Sequence, residues 1–142
     1  MPTKIAYEAI AVATGGRTGH AKTEDGQLEV TLATPKEMGG DGKGNNPEQL
    51  FAAGYAACYL GAMKFAASQD KSLITLPDDT TVRATVGIGP REDMGFGLAV
   101  TLEVHVPGAD KADVEAIAAA GHKICPYSHA TNGNISVTTK VA

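Results

Sequence analysis

Apolar and polar positions change period several times along the chain, and each change predicts an element. From Lys4 to Ala13 they alternate roughly every second residue, with Ile5, Tyr7, Ala9 and Ala11 on one side, which predicts a half-buried strand. Gly15, Gly16 and Gly19 then surround Arg17 in a turn whose backbone can take unusual angles and hold the guanidinium in place. A second strand is expected to Thr23, a hairpin turn at Asp25-Gly26, and a third strand from Leu28 to Leu32. The first third of the chain thus reads as an antiparallel meander.

The stretch from Asn46 to Gln69 changes to helical chemistry. Asn46 is a good N-cap, Pro47 suits the first helical position, and Gln49 can return a capping-box hydrogen bond. No charged side chain stands between Glu48 and Lys64, and apolar residues lie on every face, which predicts a helix buried all round. Cys58 shares a stripe with Phe51, Gly54, Tyr55, Gly61, Ala62 and Phe65. Beyond it, Thr81 to Ile88 and Phe96 to Val106 read as strands either side of a turn, and Asp110 is placed to cap a second helix running to about Ile124. On that helix Val114, Ile117, Ala118, Gly121 and Cys125 fall on one buried face, Pro126 ends it, and Asn134 to Val141 gives a last strand. The order is βββ-α-ββ-α-β, an α+β class with two central helices on antiparallel sheets, in a single domain over residues 1–142.

A net charge of -4 without blocks of like charge gives no reason to expect a nucleic-acid partner. There is no leader pattern, and the apolar helix reads as too short and interrupted for a membrane span, so no membrane is expected and the chain is placed in the cytoplasm. In a reducing compartment the two cysteines, Cys58 and Cys125, are unexpected as a purely structural disulfide. They can still be inert thiols filling small spaces. Four scattered histidines and two distant cysteines lack metal spacing, so no metal or other cofactor is expected. The glycine-rich loop Met38–Asn45 lacks both a P-loop ending and a dinucleotide fingerprint, and Glu48 after it would repel an anion. A Cys-His hydrolase would have to use His122 or His129 beside Cys125, although His122 reads more simply as a cation at a helix C-terminus.

Thiol chemistry needs a thiolate, and an apolar helix interior opposes one unless a positive charge is near. Of three arginines, Arg83 and Arg91 look like surface residues, whereas Arg17 sits in its glycine turn. Glu48, favoured as a carboxylate in the first turn of the core helix, can hold Arg17 by a forked pair, leaving Arg17 to stabilise the Cys58 thiolate. Glu48 and Cys58 lie roughly 15 Å apart along a helix axis, so a bend or a site shared between subunits is needed. Cys125, at a helix C-terminus, is expected to ionise less readily, which makes Cys58 the attacking and Cys125 the resolving thiol.

Gly15-Gly-Arg17-x-Gly19, Asp25-Gly26-x-Leu28, the run Asn46-Pro-Glu-Gln-Leu-Phe-Ala-Ala-Gly-Tyr-Ala-Ala-Cys58, and Cys125-Pro-Tyr-Ser-x-Ala130 together resemble the organic hydroperoxide resistance (Ohr) proteins of the OsmC superfamily. The resemblance covers nearly the whole chain. It implies a thiol-dependent peroxidase working as an intertwined homodimer, with Arg17 and Glu48 as activating pair, Cys58 peroxidatic and Cys125 resolving. It also implies an organic hydroperoxide as substrate and a dihydrolipoyl-protein or other dithiol as reductant. Phe51, Tyr55, Phe96 and Tyr127 are candidates for an apolar substrate pocket favouring organic over hydrogen peroxide. Asn132 stands where the last motif usually has an arginine. A general OsmC-type peroxidase that also uses hydrogen peroxide and a non-enzymatic apolar-ligand binder are the competing readings.

Overall fold

A computed structural model describes all residues, Met1–Ala142. Its contacts divide the chain into two compact units, Met1–Leu50 and Phe51–Ala142.

In the first unit, β1 (Ala11–Thr14), β2 (His20–Thr23) and β3 (Glu29–Thr31) form an antiparallel sheet in that order, the predicted meander. The first strand is shorter than its alternation predicts. The Glu24 amide still bonds the Ile10 carbonyl at 2.9 Å, but β2 turns away at the Asp25-Gly26 hairpin, and earlier residues have no neighbouring strand to pair with. Ile5, Tyr7, Ile10 and Val12 consequently stay exposed. The turn after β1 depends on its glycines: Gly15 and Gly16 have left-handed φ angles of 71° and 58°, and a Cβ on Gly19 would overlap the Thr14 carbonyl.

The long helix α1 (Pro47–Gln69) starts with the predicted capping box: the Gln49 amide donates to Asn46 Oδ1 at 2.9 Å, and the Asn46 amide donates to Gln49 Oε1 at 3.2 Å. In the second unit β4 (Thr81–Pro90) and β5 (Phe96–His105) form an antiparallel hairpin. Helices α2 (Lys111–Ile124) and α3 (Pro126–Thr131) follow, then β6 (Ser136–Val141). The α+β class holds, with two departures. β6 runs parallel to β5, because the helical crossover carries the chain back to the other end of the sheet before it re-enters. Pro126 ends α2 but also opens α3, a six-residue helix absent from the expected element order.

The core of this unit is built from Tyr55, Tyr59, Ala62, Met63 and Ala66 of α1, Val114, Ile117 and Ala118 of α2, and Val100, Leu102 and Val104 of β5. The α2 face is buried as its spacing predicts, with Gly121 and Cys125 at its end, although the Asp110 side chain makes no capping hydrogen bond. The expectation that α1 is buried all round is corrected: Ala53, Ala57, Gly61, Lys64 and Phe65 form an exposed stripe opposite the core face. The membrane reading is corrected too. At 23 residues, about 35 Å, α1 is long and apolar enough to cross a bilayer. What marks it as a core helix is its packing, with Tyr59 fully buried and its hydroxyl donating to the Ala118 carbonyl at 2.7 Å.

Candidate active site

Cys58, in the middle of α1, and Cys125, at the junction of α2 and α3, are both free thiols with sulfurs 3.5 Å apart. They are 67 positions apart in sequence, so only the packing of α1 against α2 and α3 brings them together. Cys125 is fully buried and Cys58 half-buried. Cys125 caps two helices at once: its amide closes α2 on the Gly121 carbonyl at 2.8 Å, and its Sγ accepts the Ser128 amide of α3 at 3.4 Å. This revises the expectation of a sulfur facing only a helix C-terminus, since an amide donor of the next helix points at it.

Burial pushes the Cys58 thiol up; the Tyr127 backbone amide pulls it part of the way back, and the adjacent Cys125 adds to the rise. The neighbouring Tyr59 hydroxyl is also pushed up by burial and stays a neutral phenol. Along α1, Phe51 and Tyr55 meet edge to face with ring centres 5.9 Å apart, and Tyr127 of α3 joins both, at 5.9 Å from Phe51 and 5.7 Å from Tyr55. Gly54 lets Tyr127 in, because a Cβ there would stand 2.9 Å from its hydroxyl. Three of the four proposed pocket residues therefore form one aromatic cluster. Phe96 stands apart from it, 65% exposed at the start of β5 with its carbonyl held by Arg91 Nη1 at 3.0 Å.

In the first unit Arg17 and Glu48 make the expected fork, Nη1 to Oε2 at 2.8 Å and Nη2 to Oε1 at 2.6 Å. That fork holds the Glu48 carboxyl below its ordinary pKa and raises that of Arg17. Arg83 and Arg91 are the surface residues expected, paired with Glu103 and Asp93.

Sequence reasoning missed a polar chain behind the thiols. Tyr55 Oη lies 3.0 Å from Ser128 Oγ and 3.1 Å from Thr131 Oγ1, and His122 Nδ1 lies 2.8 Å from Ser128 Oγ. His122 Nε2 continues the chain to Thr139 Oγ1 at 2.6 Å. Burial lowers the His122 pKa, so it is a neutral hydrogen-bonding group and not the helix-end cation expected from its position. Pro126 directly after a possible capping residue was the signal for α3, and α3 is what brings Ser128 to this chain.

A family model described as OsmC-like protein matches residues 40–140. An organic hydroperoxide resistance protein of Xanthomonas axonopodis pv. citri is 51% identical over 142 residues, 99% of this chain and 98% of that protein. The chain belongs to the OsmC/Ohr family. Within it, the organic hydroperoxide resistance protein OhrA of Bacillus subtilis is 40% identical and is matched over 96% of both chains. Among solved OsmC/Ohr structures, an organic hydroperoxide resistance protein from Legionella pneumophila superposes with a TM-score of 0.91 at 44% identity, covering 98% of this chain and 99% of its own. A Vibrio cholerae relative with captopril bound in one of its active sites has a TM-score of 0.92 at 42% identity, over 99% of this chain and 95% of its own.

Proposed function

We propose that this chain is a thiol-dependent peroxidase that reduces organic hydroperoxides to alcohols. The observation that carries the reading is the 3.5 Å approach of two free thiols beside a cluster of three aromatic rings. The Cys58 thiolate attacks the outer peroxide oxygen, the O–O bond breaks, and the alkoxide leaves as an alcohol after taking a proton, so Cys58 becomes a sulfenic acid. Cys125 then attacks that sulfur, the S–O bond breaks, water leaves, and a Cys58–Cys125 disulfide forms. A dihydrolipoyl-protein or another dithiol returns both thiols.

Arg17, oriented by Glu48, lowers the Cys58 pKa against burial and stabilises the charge that develops on the peroxide oxygens. The forked geometry of the pair and the organic hydroperoxide resistance relatives support this role. Phe51, Tyr55 and Tyr127 give an alkyl substituent apolar company near Cys58, which favours organic substrates over hydrogen peroxide. The working form is a homodimer of one-domain chains in the cytoplasm. The open stripe on α1 and, separately, the exposed Ile5, Tyr7, Ile10 and Val12 are the surfaces a second copy can cover.

The test is stoichiometric. One equivalent of cumene hydroperoxide added to reduced protein should yield one equivalent of cumyl alcohol and a Cys58–Cys125 disulfide identified by peptide mass spectrometry. Thiols that stay reduced would favour an apolar-ligand binder, and equal rates with hydrogen peroxide would favour a general OsmC-type peroxidase.

A further inference from the structure

The hydroxyl chain behind the thiols has a fixed direction, set by counting protons. Each hydroxyl has one to give. Thr131 gives its proton to a carbonyl of its own helix, Tyr127 at 3.0 Å or Ser128 at 3.2 Å. Tyr55 must then donate to Thr131, Ser128 must donate to Tyr55, and the hydrogen bond between Ser128 and His122 is left for a proton on His122 Nδ1. The run passes from His122 through Ser128, Tyr55 and Thr131 into the backbone of α3. Tyr55, Ser128 and Thr131 are buried, where a satisfied polar chain is rigid and a broken one is costly.

The segment held in this way is the one that faces both sulfurs. The Ser128 amide donates to Cys125 Sγ at 3.4 Å, and the Tyr127 backbone works against the rise that burial causes in the Cys58 pKa. Cys125 itself lies three residues from both His122 and Ser128. Besides this chain, α3 is held by short turns, by its packing on α2 and by the Tyr127 ring against Phe51 and Tyr55.

We propose that His122 and Ser128 are positioning residues for the thiol pair: the donor run that starts at His122 Nδ1 fixes the first turn of α3, and with it the closure of Cys125 onto Cys58. Neither side chain touches the reacting atoms. Their effect is on the effective concentration of one thiol toward the other, which falls steeply when a reacting pair is held less firmly. The consequence for turnover rests on the peroxidase reading, since a slower closure leaves Cys58 exposed to a second oxidation.

The experiment equilibrates the full chain with reduced and oxidised glutathione, so that one protein dithiol and one glutathione disulfide exchange for a protein disulfide and two glutathiones. His122→Asn keeps a donor near the Nδ1 position. His122→Gln places its amide near Nε2, toward Thr139, and leaves Ser128 without its donor. Positioning predicts that His122→Gln and Ser128→Ala each lower the effective thiol concentration by about tenfold or more, while His122→Asn stays close to wild type. Equal loss in the two His122 variants, or no loss in His122→Gln, would overturn the proposal. Should Ser128→Ala fail to fold, the two His122 variants carry the test, because that side chain is only half-buried. A parallel arm with excess cumene hydroperoxide reads the sulfinic acid formed at Cys58, expected to rise in His122→Gln. If wild type ignores the peroxide, the peroxidase reading fails, and the glutathione equilibrium still decides the positioning role.

Discussion

Arg17 and Glu48 face each other as a planar fork with both nitrogen–oxygen distances under 3 Å, 2.8 and 2.6 Å. Only a guanidinium makes that fork, so lysine is no substitute. Arg17→Ala and Arg17→Lys are expected to slow hydroperoxide reduction, the first by about 100-fold or more. The pH at which Cys58 becomes alkylated by iodoacetamide should rise in both. An unaltered rate at neutral pH would remove Arg17 from the mechanism.

The same fork has a consequence for acid stability. The Glu48 carboxyl is held below its ordinary value, first by hydrogen bonding to Arg17, so its folded pKa lies under its unfolded one. The stability it contributes is therefore fully present above the unfolded value, about 4.3, and is lost as pH falls through the folded value. Thermal melts of wild type and Glu48→Gln should differ by a constant amount above about pH 5 and converge in more acid solution. A gap that widens on acidification would contradict this assignment.

Cys125→Ser should leave the first oxidation of Cys58 intact and stop after one turnover, with Cys58 passing to sulfinic acid under excess peroxide. Cys58→Ser should abolish reduction altogether. Intact-mass spectrometry after peroxide treatment distinguishes the two. Sustained turnover of Cys125→Ser with a dithiol would show that the reductant itself resolves the sulfenic acid.

Gly121 lets α2 pack tightly against side chains of α1. A Cβ there would meet Met63 Cγ at 2.5 Å and Tyr59 Cε2 at 3.1 Å, both belonging to fully buried side chains. Gly121→Ala is expected to cost about 1–3 kcal/mol through overpacking, measured by urea unfolding.

Local rules were legible in the sequence where one segment decides its own structure. The Asn46–Gln49 capping box, the Asp25-Gly26 turn and the α2 stripe through Val114, Ile117 and Gly121 all appear as their residue types predict. What was hidden depends on distant partners. Alternation at Ile5 and Tyr7 did not make a strand because no neighbour lies there to receive its hydrogen bonds. His122 looked like a helix-end cation until Ser128 and Thr139, brought in by α3 and β6, surrounded it with hydroxyls. Helix position suggests separate roles for Cys58 and Cys125, whereas their 3.5 Å approach comes from packing alone.

The most direct measurement of the central claim is consumption of tert-butyl hydroperoxide and of hydrogen peroxide by the reduced protein, with dihydrolipoamide as the only reductant. Rapid, sustained turnover of the organic peroxide and slow turnover of hydrogen peroxide are expected, both absent in Cys58→Ser. Failure to consume either peroxide would contradict that claim and leave Cys58 and Cys125 as buried thiols without a reaction.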